Sequence, residues 1–152
     1  MQIKSARFGT LDIDESQIIC FQNGLPGFNG KKTFAFIAYG ENSPFAFLQD
    51  VEEPNLTFVV AEPFSFFQDY SFKLEDEVVA ELGLSDDNPP GIFNIVRIPE
   101  KTGEMTANLL APIVINWQTR NAMQLILEKS PYTVRHQIFP QGISEQKTKG
   151  GK

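Results

Sequence analysis

Residues 105–116 constrain the fold more than any other stretch of this 152-residue chain. They read Met-Thr-Ala-Asn-Leu-Leu-Ala-Pro-Ile-Val-Ile-Asn, so every side chain is apolar, amide or hydroxyl and none is an ionisable acid, base or thiol. Pro112 prevents one continuous helix, because its ring removes a backbone donor and clashes with the preceding turn. The stretch is therefore predicted to form a short strand or turn at 106–110 and a strand at 113–117.

Other apolar segments also predict strands. Thr33–Tyr39, Leu56–Glu62 and Ile92–Ile98 are nearly continuous apolar runs, as is typical of strands covered on both faces. Val114–Trp117 and Asn121–Leu127 flank a short polar segment and therefore predict a hairpin. Turn signals rich in glycine, proline and asparagine separate the runs at a spacing that favours an antiparallel barrel over alternating strands and helices.

The segment Tyr132–Ile138 alternates most clearly. Tyr132, Val134, His136 and Ile138 would share one face, and the polar residues between them would share the other. This pattern predicts a half-buried strand.

One helix is predicted, with a start within residues 71–76 and an end at Gly83. Val78, Val79 and Leu82 would form its buried face. The fold class is accordingly mainly β: a single-domain, antiparallel β-barrel-like fold with one or two short helices.

Charge is concentrated in the middle of the chain. Residues 41–91 contain twelve acids against Lys73 alone, a local net charge of −11 within a total of −6. This region would repel a phosphate backbone and attract a basic partner, so direct nucleic-acid binding is not expected. The alternative is a solvated acidic face that aids solubility.

Several classes of function lack the residues they need. The chain has one histidine, His136, and one cysteine, Cys20, so a metal centre is not expected and no disulfide can form within it. His136 is predicted to be hydrogen-bonded and partly buried, and Cys20 to be a small core residue. No apolar run reaches the roughly 20 residues that span a bilayer, and the N-terminus lacks a signal-peptide pattern, so a cytoplasmic location is expected.

Apolar residues supply the candidate binding features. Leu25-Pro26-Gly27-Phe28 is a turn with two large apolar side chains, which either complete the core or contact a partner. The aromatic segment Phe64–Phe72 either plugs one end of the barrel or forms a docking surface. Leu109 and Leu110 cannot both point inward in an extended chain, so one of them is a candidate contact.

The chain resembles the FliW family of bacterial flagellar assembly factors. The resemblance is carried most specifically by Met105–Asn116 together with the Leu25–Phe28 turn. Weaker matches follow the family's order along the chain: Phe8-Gly9, Phe21, Gly24, Ser43-Pro44-Phe45, Leu48-Gln49, Phe58-Val59-Val60, Glu62-Pro63-Phe64, Thr119-Arg120, Tyr132 and Arg135-His136.

The resemblance implies a FliW-like barrel domain over residues 1–143, and the polar residues 144–152 are expected to be a disordered tail. It further implies a non-enzymatic cytoplasmic adaptor with no cofactor, monomeric when free. Such proteins bind flagellin and CsrA, a dimeric RNA-binding translational repressor, in mutually exclusive fashion. Secretion of flagellin would free the adaptor to bind CsrA and relieve repression of flagellin translation.

On this basis ten residues are candidates for partner binding. Glu75, Asp76 and Glu77 are expected to face CsrA, and Leu25, Phe28, Leu109 and Leu110 are expected to contribute apolar contacts. Pro26, Met105 and Asn108, from the same two motifs, complete the ten. A small-molecule-binding β-barrel is the alternative function, and a hydrolase is a distant third.

Overall fold

The computed structural model describes residues 1–26, 28, 32–100 and 104–139. Gly27 and the predicted tail at 144–152 lie outside the described residues. The described elements, in chain order, are β1 (Gln2–Ser5), β2 (Gly9–Asp12), β3 (Ile18–Phe21), β4 (Thr33–Ala38), β5 (Phe45–Asp50), β6 (Thr57–Ala61), α1 (Asp76–Leu82), β7 (Gly91–Arg97), β8 (Thr106–Ala107), β9 (Ile113–Asn116), β10 (Asn121–Gln124) and β11 (His136–Gln137). Single-turn 3-10 helices cover Glu15–Gln17 and Pro63–Ser65.

Seven of these described strands close into a barrel. Their order is β7-β6-β5-β4-β3-β10-β9, and β9 pairs back onto β7. The pairings are antiparallel apart from β3 with β10, which run parallel with Asn121 opposite Cys20 and Ala122 opposite Phe21. Closure protects the strand edges, which would otherwise pair with other chains. The predicted β-barrel-like fold is confirmed.

Alternation along the strands divides the side chains between the inside and the outside of the barrel. On β5, Ala46 and Leu48 point inward, so Phe45 and Phe47 point outward. The interior is filled by side chains and holds the largest buried cluster: Ile19, Phe21, Leu25, Phe34, Ala46, Leu48, Val60, Ile113, Ile115 and Ala122.

The outer wall of the barrel is covered in two places. The β1–β2 hairpin packs Ile3 and the following Ile13 against Ala35 of β4. The aromatic segment after β6 packs Phe66 and Phe67 onto a second cluster on the wall. This segment therefore packs against a core, as the plug alternative predicted. It covers the side of the barrel, however, and not one of its ends.

The 105–116 stretch folds as predicted, with β8 and β9 on either side of a turn. Trp117, directly after β9, places its ring against Phe36 and Phe93, with centroids 5.2 and 6.1 Å away. Both phenylalanines belong to the barrel interior, so the indole closes that end of the barrel. Next, β9 and β10 form the predicted hairpin, with Asn121 opposite Asn116.

The helix also begins and ends within its predicted limits. Leu82 is buried on its inner face, and Gly83 ends it with a φ of 71°, a conformation that favours glycine. Asn116 holds this end against the barrel, because its Nδ2 donates to the Leu82 carbonyl and its Oδ1 accepts from Asn88 Nδ2 at 3.2 Å.

The long strand predicted for Tyr132–Ile138 is wrong in extent. Only His136–Gln137 forms a strand, and Val134 is 53% exposed. The backbone N–H of Thr133 donates to His136 Nε2 at 2.9 Å, and the Thr133 hydroxyl bonds the carbonyl of Arg135. These local side-chain bonds bend the chain and compete with a regular ladder.

Candidate partner-binding surfaces

The Leu25–Phe28 turn lies just after β3. The backbone N–H of Phe28 donates to the Leu25 carbonyl at 3.0 Å, and Leu25 joins the barrel core with 4% of its surface exposed. The Phe28 ring packs edge-on against Phe58, with centroids 5.0 Å apart, yet remains 38% exposed. Pro26 is exposed. The turn thus presents Pro26 and one face of Phe28, with Leu25 supporting them from the core.

The Met105–Asn116 block mostly builds the fold. Met105 and Leu109 are core residues with 8% and 2% exposure, whereas Leu110 is only half-buried. As predicted, the two leucine side chains are not both buried, and Leu110 is the one that lies near the surface. The Oδ1 of Asn108 accepts the backbone N–H groups of Leu110 and Ala111, each at 3.1 Å. Asn108 therefore shapes the turn on which Leu110 sits.

A buried tyrosine, Tyr70, holds the turn at Leu109 and Leu110 in place through a hydrogen bond. The Tyr70 hydroxyl donates to the Leu109 carbonyl at 2.7 Å and accepts from Asn94 Nδ2 at 3.3 Å. Desolvation by burial raises the pKa of Tyr70 to about 12, although the hydrogen bond from Asn94 acts in the opposite direction. The phenol stays protonated near neutral pH and remains a donor to Leu109. Tyr70 belongs to the aromatic segment noted in the sequence, but its pairing with Asn94 and Leu109 was not predictable, because their proximity depends on distant segments.

The acidic candidates lie together at the N-terminus of α1. Glu75, Asp76 and Glu77 are all exposed. The N-terminus of a helix favours acids, which accounts for their position without a basic neighbour. Among the described residues no lysine or arginine forms a salt bridge with them. Their charge is therefore available to a basic partner.

An open groove of about 810 Å³ lies beside these acids, between residues 71–78 and 125–132. Its lining mixes apolar and charged side chains, and it includes Glu75 itself. The apolar part comprises Phe72, Val78, Leu125, Ile126, Leu127, Pro131 and Tyr132, and the other charged residues are Lys73, Glu128 and Lys129.

Ile126 is the main binding candidate that sequence reasoning missed. It is 57% exposed, and it lines the groove. The sequence carried a signal, because Met123, Leu125 and Leu127 would share one face of a strand and Ile126 would fall on the other face with Gln124. The backbone N–H of Leu127 donates to the Leu110 carbonyl at 2.8 Å, so this groove adjoins the Leu110 turn.

The helix α1 connects the candidate surfaces. Asn23, just before the Leu25–Phe28 turn, donates from Nδ2 to Glu81 Oε2 at 3.3 Å. Glu75, at the opposite end of the helix, lines the groove. The structure therefore places the helix between the Phe28 turn and the groove, with the acids Glu75, Asp76 and Glu77 at the groove end.

His136 and Cys20 are the one histidine and the one cysteine of the sequence, and neither belongs to a group of metal ligands in the described part of the chain. His136 Nε2 already accepts the Thr133 N–H, as predicted for a hydrogen-bonded, half-buried histidine. Cys20 is half-buried on the outer face of β3, and the prediction that it is a core residue is wrong because its neighbours Ile19 and Phe21 take the inner face. In residues 1–26, 28, 32–100 and 104–139, no three His, Cys, Asp or Glu side chains are grouped as a metal site would require.

No helix in the described residues is both long enough and apolar enough to span a bilayer. The fold and its surfaces define a small closed β-barrel protein with a filled interior, an acidic helix and an adjoining groove of mixed apolar and charged lining.

Comparison with known proteins gives the family. The model of the FliW protein family matches residues 2–138. The flagellar assembly factor FliW of Desulfitobacterium hafniense strain Y51 is 47% identical over 152 residues, covering 100% of both chains. That of Heliobacterium modesticaldum is 41% identical and covers 99% of both. A crystal structure of the flagellar assembly factor FliW superposes with a TM-score of 0.85 at 34% identity, covering 94% of this chain and 100% of the other.

The chain belongs to the FliW family of flagellar assembly factors. This is not an enzyme family, and its general role is in building the flagellum. The resemblance inferred from the two motifs is confirmed, and so is the fold that it implied.

Proposed function

We propose that the protein is a non-enzymatic, cytoplasmic adaptor that binds flagellin and CsrA alternately. When flagellin has been secreted, the free adaptor binds CsrA and relieves its repression of flagellin translation. When flagellin accumulates, it takes the adaptor back. The observation that carries this proposal is the exposed acidic end of α1 beside a groove of mixed apolar and charged lining, in a chain of the FliW family.

Charge supports CsrA as the partner of the acidic surface. A protein that holds RNA must present positive charge to phosphates, and the same charge is attracted by Glu75, Asp76 and Glu77. Surface charges of this kind raise the association rate and are sensitive to salt. The protein's acids would also disfavour RNA near the bound repressor.

Apolar contacts support flagellin as the second partner. Amphipathic helical segments bind grooves that combine an apolar floor with a few polar anchors. The groove offers Ile126, Val78 and Tyr132, and its rim carries Glu75 and Lys73. Phe28 and Leu110 extend the apolar surface on the two sides of the helix, with Leu25, Met105 and Leu109 as its buried support.

Mutual exclusion follows from the overlap of the two surfaces. Glu75 belongs to the acidic end of the helix and also lines the groove. A partner seated on either surface would occupy space beside the same side chain. Flagellin and CsrA would therefore compete for the helix.

A titration tests the exchange. CsrA is bound to fluorescently labelled flagellin-leader RNA, the protein is added while anisotropy is followed, and flagellin is added afterwards. We expect the protein to release the RNA and flagellin to restore the complex. If neither flagellin nor CsrA binds at micromolar concentration, the proposal is wrong.

A charge-reversed variant locates the CsrA surface. Glu75→Lys/Asp76→Lys/Glu77→Lys should bind CsrA about tenfold more weakly or worse at low salt, with a difference that shrinks as salt screens the charges. The matched control is Glu15→Lys/Glu41→Lys/Glu100→Lys, which changes the net charge equally at exposed sites outside the helix. Normal binding by the helix variant at low salt would exclude this surface.

The small-molecule barrel is the less favoured function. Its usual binding site is the barrel interior. Here Phe21, Phe34 and Ile113 fill that interior and are fully buried.

A further inference from the structure

A separate apolar pocket lies on the outer wall of the barrel, in the gap between its two coverings. Its volume is about 270 Å³. The outward-facing side chains Phe45 and Phe47 of β5 and Val59 of β6 line it, and Met105 and Ile98 contribute from the β7–β8 side. Tyr39 and Arg7 complete the lining.

Arg7 is the only charged side chain in this lining. Its guanidinium carbon lies 5.3 Å from the centre of the Phe47 ring, a cation–π contact. Among the described residues no carboxylate forms a salt bridge with it. The positive charge is therefore directed at an apolar pocket and is not neutralised by an acid.

The loop that carries Arg7 is anchored. The Ser5 hydroxyl donates to Gln49 Oε1 at 2.7 Å and accepts the backbone N–H groups of Arg7 and Phe8, each at 3.1 Å. The Phe8 ring packs edge-on against Phe47 with centroids 5.0 Å apart. Because these contacts hold the backbone of the loop, an anionic ligand would lose little affinity to ordering it, and the exposed Arg7 side chain is accessible to the ligand.

The local charge also suits an anion. Residues 1–11 contain Lys4 and Arg7 and no acid, in contrast to the −11 of residues 41–91. A single cation matches a singly charged group, and a cationic ligand would be repelled. The guanidinium fork binds a carboxylate through paired hydrogen bonds.

We infer that this pocket binds a small carboxylic acid with an aromatic or branched aliphatic body. The body would lie against Phe45, Phe47 and Val59, and the carboxylate would pair with Arg7. The volume is just below the range of about 300–1,000 Å³ usual for ligand pockets, so a single ring with a short acid chain suits it. This inference does not depend on the exchange of flagellin and CsrA.

The probe is 3-phenylpropionate, and the matched neutral compound is 3-phenylpropanamide. Binding is followed by amide chemical-shift changes in ¹H–¹⁵N NMR spectra of the full chain. We expect saturable shifts for the acid at residues around Phe47, and binding of the amide about tenfold weaker or worse. Equal binding of acid and amide, or no saturable shift with the acid, would overturn the inference.

Two variants test whether the carboxylate of the ligand pairs with Arg7. Arg7→Met keeps most of the stem over Phe47 and should lower affinity for the acid about tenfold while leaving the weak binding of the amide unchanged. Arg135→Met removes an exposed arginine outside the pocket and should bind the acid normally. Normal acid binding by a folded Arg7→Met variant would contradict the assignment.

The same chemistry can come from a free acid or from the last residue of a peptide. N-acetylphenylalanine reproduces a chain terminus and separates the two sources. Tighter binding than 3-phenylpropionate would indicate a peptide terminus, and weaker binding would indicate a free acid. Either result requires the dependence on Arg7.

Discussion

The Leu25–Phe28 turn and the Met105–Asn116 block stand out equally in the sequence, since both are apolar and neither contains an ionisable side chain. The structure uses them differently. The block contributes Met105 and Leu109 to a core, and its Asn108 and Asn116 hold turns together. The turn contributes Leu25 to the core but leaves Phe28 38% exposed.

This contrast separates two reasons for an unusual motif. A block whose asparagines hold its own turn and the end of α1 in place is needed to build the fold, and its mutation should lower stability. A turn that exposes an aromatic ring beyond what turning requires is better suited to a contact, and its mutation should lower affinity. The difference can be tested by measuring both quantities in each region.

The largest effect on stability is expected for Leu109→Ala. Leu109 is 2% exposed in the outer-wall cluster, so truncation removes buried contacts and leaves a cavity. The free energy of unfolding should fall by about 2–5 kcal/mol, as measured by urea denaturation. A loss below about 1 kcal/mol would mean that the block is not a structural element of the fold.

A pH effect of intermediate size is expected from Tyr70, which supports the same block. Its folded-state pKa is about 12, above the ordinary value of 10.0. The unfolded chain therefore loses the proton first, so stability is intact below about pH 10 and falls as pH rises towards 12. Urea denaturation at a series of pH values across this range measures the decline.

Tyr70→Phe is the control for this titration. Its unfolding free energy should be lower at neutral pH, because the Leu109 carbonyl loses a buried donor. It should also show a weaker decline between pH 10 and 12 than the parent protein. An equal decline in both proteins would assign the pH dependence to other groups.

The smallest effect on stability is expected for Phe28→Ala. For this variant we expect the loss of affinity for a partner to be large compared with the loss of stability. Its exposed ring face limits the cost to about 1 kcal/mol, whereas affinity for flagellin or CsrA should fall about tenfold. Phe64→Ala is the matched control, because Phe64 is 44% exposed and lies in a separate 3-10 helix. Unchanged affinity for both partners in folded Phe28→Ala would remove the turn from the binding surface.

Local patterns predicted most of the secondary structure. The runs that became β4, β6 and β7, the β9–β10 hairpin and the helix ending at Gly83 all form within a few residues of their predicted limits. Each depends on short-range signals, such as apolar runs, turn residues and a glycine that tolerates positive φ. The one long strand that failed, at 132–138, was lost to hydrogen bonds from Thr133 that periodicity does not reveal.

The candidate site was only partly predictable. The exposure of Glu75, Asp76 and Glu77 was predictable, because charged side chains are rarely buried without a partner. Which of Leu109 and Leu110 would be buried could not be decided, because both choices satisfy the alternation. The choice was made by Tyr70 and Asn94, which meet the block from segments far away in the chain.

The sequence by itself determined most of the predicted strands, the helix limits, the acidic middle and, through two motifs, the family. Tertiary structure alone decided that β3 and β10 close the barrel in parallel and that α1 lies between the Phe28 turn and the groove. It also placed Arg7 over Phe47 beside a pocket on the wall. The physical reason is that strands and turns depend on neighbouring residues, whereas surfaces are made by residues that only the closed barrel brings together.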